Sequence, residues 1–148
     1  MVEVVIASAI LLAAIVTLLS IHSLYLKIGL SNVNSAKAAY LLEEAVEAMR
    51  FLRDDSWGAK VSTLTLNTNY GLVFNNGSWQ ASTTNRWVEN FERTIALSAV
   101  YRDANGDIGA SGALDPSTLL VVSTVSWPKG GATTTRSIST YLTNLYDN

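Results

Sequence analysis

Between Glu3 and Lys27 the chain runs for 23 residues without an Asp, Glu, Lys or Arg. The stretch reads VVIASAILLAAIVTLLSIHSLYL. A helix crossing the ~30 Å apolar core of a bilayer needs about 20 apolar residues, so the length fits a span. The buried helix of a soluble protein normally keeps a polar face, and this run offers none over about six turns. A cleavable secretory signal would carry basic residues ahead of the apolar run and a small-residue cleavage site behind it. Here Glu3 comes first, and neither Lys nor Arg precedes the run. The gap predicts membrane insertion and excludes an ordinary soluble domain.

Glu3 stands at the edge of this run. A carboxylate buried there without a partner costs several kcal/mol, and intramembrane charges normally have one. Two roles are open to it. It can sit among headgroups at the positive end of the helix dipole, or it can be the charge that recognises another chain's amino terminus.

The helical pattern continues past Lys27 without a proline. From Leu41 the apolar residues fall at 41, 42, 45, 46, 49 and 52, the three-and-four spacing of one helix face. Glu43, Glu44, Glu47, Arg50 and Arg53 take the remaining positions. Asp54 and Asp55 sit badly at the negative end of a helix dipole and Gly58 follows, so the helix is predicted to end near Arg53. Some fifty residues at 1.5 Å each give a helix of roughly 75 Å. Gly29 and the run Ser31-Asn32-Val33-Asn34 are weak helix formers and mark the predicted place for a bend.

Beyond Trp57 the composition turns to Ser, Thr and Asn, with six charges of each sign. Leu72-Val73-Phe74, then Asn75-Asn76-Gly77, then Ser78-Trp79 reads as an Asn-Gly hairpin. Trp87–Arg102 alternates at Phe91, Arg93, Ile95, Leu97, Ala99 and Tyr101, as a strand with one buried face does. Leu119–Trp127 is the strongest strand, stopped by Pro128-Lys129-Gly130-Gly131, and Thr133–Leu142 is its hairpin partner. The expected fold class is α+β. A long amino-terminal helix, membrane-spanning in its first half and amphipathic in its second, packs on a small antiparallel sheet of four or five strands. The predicted divisions are 1–26 for the apolar helix, 27–55 for its amphipathic continuation and 56–148 for a β-rich head.

Composition narrows the function as well. A net charge of −2 argues against a broad electrostatic grip on nucleic acid, and no specific nucleic-acid partner is predicted. Without cysteine there is no disulfide, thiolate zinc site or cysteine nucleophile. The one histidine, His22, lies inside the apolar run, so a Ser-His-Asp arrangement has no base in the head. No phosphate-cradling glycine loop is present. Glu89 and Glu92 read as solvated residues of a strand or loop. No catalytic residue and no cofactor are therefore predicted, and the chain is not expected to be an enzyme. Asp103-Ala104-Asn105-Gly106-Asp107 has the alternating oxygen donors that open a calcium loop. Ile108 and Leu114 then stand where an EF-hand needs Gly and Glu. A tight turn is the favoured reading, with Asp103, Asn105 and Asp107 kept as a weak calcium candidate. Trp57, Trp79, Trp87 and Trp127 either form a binding platform or seal a small core. Asn76-Gly77-Ser78 matches a glycosylation acceptor, and an ordinary turn accounts for it equally well.

The start of the chain, Met1-Val2-Glu3-Val4-Val5-Ile6-Ala7-Ser8-Ala9-Ile10-Leu11-Leu12, resembles the amino terminus of mature type IV pilins and type II secretion pseudopilins. The likeness is specific over the first 26 residues, weaker to Trp57, and one of layout afterwards. It implies that Glu3 pairs with the terminal amine of an adjacent subunit. The implied partners are copies of this chain and related pilins in a helical homopolymer, the pilus assembly machinery and a prepilin peptidase. The implied location is the inner membrane before assembly and an extracellular filament afterwards. Family members usually carry a Phe and a small polar residue ahead of the Met1 position, after a basic leader ending in glycine. The resemblance thus implies a trimmed or differently processed start. A lost leader would hold the amino end inside, against the opposite pull of Lys27 and Lys37. Many family helices also have a proline near Ser20–His22, which this chain lacks.

The expected function is a structural subunit of a type IV pilus-like filament. A pseudopilin of a type II secretion system is the near alternative. A single-pass anchored module whose sheet binds an extracellular ligand is the alternative from a different class.

Overall fold

The computed structural model describes residues 1–146, so the last two residues of the predicted head lie outside the described residues. One helix, α1, occupies Val2–Ser56. Absence of proline and abundance of Ala and Leu let it form, and it passes through Gly29 and Ser31–Asn34 without interruption. The chain divides into two compact units, Met1–Lys37 and Ala38–Asn148.

In the first unit the helix is long and apolar enough to cross a membrane, and none of its most apolar stretch is buried. Four of its hydroxyls are turned inward on the backbone. Ser8, Thr17, Ser20 and Ser23 donate to the carbonyls of Val5, Ala13, Val16 and Ser20 at 2.8–2.9 Å. These bonds satisfy polar groups that lipid cannot.

In the second unit the helix packs on an antiparallel sheet. Its buried face is Ala38, Leu42, Ala45, Val46, Ala48, Met49 and Leu52. Leu41, counted in the sequence pattern, is only partly buried, whereas Ala38 and Ala48 join the face. Three alanines on that face let the backbone approach the strands closely. The helix ends at Ser56, three residues later than the sequence predicts. There the backbone turns extended (φ −167°, ψ 111°), and the Ser56 hydroxyl accepts from Ala59 N at 3.2 Å. One π turn, Trp57–Val61, follows and is closed by Ser62 N on the Trp57 carbonyl at 2.9 Å. Buried Trp57 and Val61 hold it in the core.

Seven strands follow among the described residues. β1 (Gly71–Asn75) and β2 (Ser78–Ser82) form a hairpin whose two-residue turn is Asn76-Gly77, as the sequence predicts. Both turn residues have positive φ (51° and 78°), which Asn and Gly tolerate. β3 (Trp87–Val88), β4 (Phe91–Arg102), β5 (Ile108–Gly109), β6 (Ala113–Lys129) and β7 (Ala132–Thr143) make a five-stranded sheet. Its order is β3-β4-β6-β7, with β5 pairing the end of β4.

Two sequence expectations are corrected here. The run Trp87–Arg102 is not one strand, because Glu89 takes a positive φ of 52° and turns β3 back onto β4. Nor does the alternation continue to Tyr101. A register shift between Ala99 and Val100 moves Val100 into the core (3% exposed) and Tyr101 out (39%). Downstream of that bulge β4 pairs with Ala113, Leu114 and Asp115, which is why β6 begins well before Leu119. The inner face carries two clusters. One gathers around Met49, Leu52, Ile95, Leu97, Val121 and Leu142. The other joins Ala38 and Leu42 to Phe91, Val125 and Trp127. Each large side chain so buried contributes roughly 1.5–3 kcal/mol.

Candidate functional sites

Glu3 lies in the first turn of α1, exposed, and makes no ion pair with any described residue. A carboxylate there meets the positive end of the helix dipole, and from Val4 to Leu26 it is followed by side chains of no formal charge. His22 is exposed on the same helix. Tyr25 and Lys27 close the apolar run with an aromatic and a cation, the residue types that favour a membrane interface.

The Asp103–Asp107 segment is a turn built on one carboxylate. Asp103 Oδ1 accepts from Asn105 N (2.9 Å) and Asp107 N (3.0 Å), and Asp103 N donates to the Asp107 carbonyl (2.9 Å). Arg102 donates to the Gly106 carbonyl at 2.8 Å, so a cation already occupies one acceptor of the loop. Among the described residues no group of three or more His, Cys, Asp or Glu gathers as a metal cluster. Arg102 also donates to Asp115 Oδ2 at 2.7 Å. That bond, with help from Thr118 and Ser117 N, holds the Asp115 carboxyl below its ordinary pKa.

The four tryptophans are not brought together. Trp57 and Trp127 are buried in different clusters, and Trp87 is 65% exposed. Trp79 meets Phe74 edge-on at 5.4 Å. Phe51, Phe74 and Trp79, with Asp55 and Gly77, line an open cleft of about 460 Å³. Phe51 and Phe74 are mostly exposed, which leaves the cleft accessible. Lys60 pairs with Asp55 and donates to Ser78 Oγ at 2.9 Å, closing one side of it. Asn76, the glycosylation-pattern residue, is at the exposed tip of the same hairpin, and its partner Ser78 is the one held by Lys60.

Arg93 is the buried cation whose partners the sequence pattern does not reveal. The alternation places it on the inner face of β4, and there it stays, 3% exposed. It donates to Glu44 Oε1 (2.7 Å) and to the Leu72 carbonyl (2.8 Å), and lies 5.7 Å from the Trp79 ring centroid. One cation thus ties helix, sheet and hairpin together. An arginine in phase with buried apolar residues was the only available signal. Glu89 and Glu92 help line a separate cleft of about 350 Å³ beside Trp87.

Comparison of the chain with protein-family models, with curated proteins and with solved structures gives no match.

Proposed function

We propose that this chain is a structural subunit of a type IV pilus-like helical filament, assembled through its apolar amino-terminal helix. The observation that carries the reading is the helix itself. A single element is exposed and apolar on all sides in its first part, then seals a β-sheet head in its second. Apolar side chains that leave lipid for a bundle of like helices keep their burial. Glu3, at the edge of the run, is the group for which the two environments differ most. A terminal amine of a neighbouring copy would give it a cation. The subunit would wait in the inner membrane with its head outside and then enter an extracellular fibre. The same features suit a secretion pseudopilin.

The anchored binding module has one observation in its favour, the open aromatic cleft at Phe51, Phe74 and Trp79. Shearing separates the two classes. A subunit is recovered in sheared fibres, an anchor only as dispersed molecules in the membrane fraction. Glu3→Leu is expected to leave membrane levels unchanged and to deplete the protein from fibres. Normal fibres built from Glu3→Leu would refute the assembly role.

A further inference from the structure

The five-stranded sheet has one border closed and one open. On the β4 side, Asn67 N donates to the Leu97 carbonyl (2.7 Å), and Tyr70 and Ile95 exchange backbone bonds (2.7 and 2.8 Å). The other border is β7, twelve residues reading ATTTRSISTYLT, paired among the described residues with β6 alone and in unbroken register. Natural edge strands are blunted by charged side chains, proline, bulges or shortness. β7 is long and has neither proline nor bulge, and its one charge is Arg136. Every second residue therefore presents an N–H and a C=O outward, without a strand to receive them.

We propose that β7 pairs antiparallel with β7 of a second copy of this chain, about a two-fold axis near Ile138. The closed border rules out a head-to-tail extension of the sheet, so the open edge can extend it only by meeting another open edge. Charge selects the orientation. Parallel in-register pairing would set Arg136 against Arg136, and like charges directly opposite are destabilising. Antiparallel pairing sets Arg136 opposite Thr140. It also brings Arg136 towards the partner's helix on the same face of the joined sheet. Ala39, Leu42, Glu43, Arg136, Ser137 and Ile138 line a groove of about 320 Å³ there. Neither Glu43 nor Arg136 has an ion-pair partner among the described residues, although they line the same groove. Across the axis each copy offers the other a carboxylate and a guanidinium. Ile138, 38% exposed, gains a partner side chain at the centre. This pairing does not depend on the filament reading. In a filament it would join neighbouring fibres side by side, because an isologous contact cannot extend a fibre.

The chain has no cysteine, so single cysteines report contacts cleanly. Full-length protein in detergent, where copies approach in any orientation, is mildly oxidised. Ile138→Cys is expected to give disulfide-linked dimers, and Ser137→Cys, whose two Cα atoms would stand roughly 8 Å apart, dimers linked by a short bismaleimide. Thr133→Cys should not, since antiparallel pairing separates its two copies by roughly 34 Å. Adding Arg136→Glu to Ile138→Cys should abolish the dimer band, and adding Glu43→Arg as well should restore it. Circular dichroism checks that each variant is folded. Absence of dimers from both near-axis variants, equal linking through Thr133→Cys, or no recovery in the charge swap would overturn the pairing. None of these outcomes touches the incorporation of Glu3 variants into fibres.

Discussion

Arg93 is the residue whose change tells most about how the head holds together, because its charge is out of water while its partner's is not. The guanidinium is 3% exposed, and the Glu44 side chain 47%. Breaking a fully buried pair by removing one member costs about 3–5 kcal/mol, and an exposed pair about 0–1 kcal/mol. Glu44→Ala strands the buried cation on one carbonyl and one ring face, so its cost should fall between these ranges, about 2 kcal/mol. Arg93→Met sheds the desolvated charge and fills much of the space. It leaves the Leu72 carbonyl without a donor, which costs about 1–3 kcal/mol. Once Arg93 is Met, Glu44 has nothing left to hold. Glu44→Ala should then cost less than 0.5 kcal/mol on that background, a coupling of about 1.5 kcal/mol. Urea unfolding of the full chain in detergent, followed by tryptophan fluorescence, measures all three variants. Trp79 lies against the guanidinium and reports the site directly. Additive costs, or a Glu44→Ala change within 0.5 kcal/mol of the parent, would refute the clamp.

Two further perturbations test the far end of β4. Gly112 has a φ of +140°, and a Cβ there would stand 2.0 Å from the Arg102 carbonyl oxygen. Gly112→Ala should therefore cost at least about 2 kcal/mol, seen as a lower thermal midpoint for the head. Asp115 titrates below its ordinary value because Arg102 bonds its ionised form. Its contribution is complete above the unfolded carboxylate pKa, about 3.9, and is lost as pH falls through the lower folded value. Asp115→Asn should flatten that acid limb in stability measured against pH, and an unchanged limb would count against the Arg102 bond.

What was legible in the sequence follows from how local its cause is. The charge gap, the helix face at 42, 45, 46, 49 and 52, and the Asn76-Gly77 turn depend on neighbours within a few residues. The strand ends did not, because their limits are set across the sheet. The sequence pattern starts this strand at Leu119, yet β6 begins at Ala113 because β4 beyond the Ala99/Val100 bulge supplies partners for its start. The bulge itself leaves no mark in the alternation, which therefore predicts Tyr101 on the buried face that Val100 in fact occupies. The alternation places Arg93 on the right face, but its partners Glu44 and Leu72 lie 49 and 21 residues away in the chain. Glu3 is the opposite case. Its position beside an apolar run is visible in the sequence, while the group that would neutralise it belongs to another molecule.

The internal hydrogen bonds of the apolar helix bear on how such a chain could change environment at all. Ser8, Thr17, Ser20 and Ser23 are the serine and threonine residues between Glu3 and Lys27, and each is already bonded to its own helix. Neither lipid nor a neighbouring helix then has to supply a partner, so these residues favour neither surrounding. Aliphatic side chains are equally indifferent, since lipid tails are as apolar as leucine. What remains to bias the equilibrium is packing, His22 and Glu3. Of these only Glu3 is an Asp, Glu, Lys or Arg, and a charge-assisted bond in an apolar setting is worth far more than one in water. Under the filament reading, one carboxylate can therefore direct a helix of 55 residues. The sequence around it needs only to be neutral towards the choice.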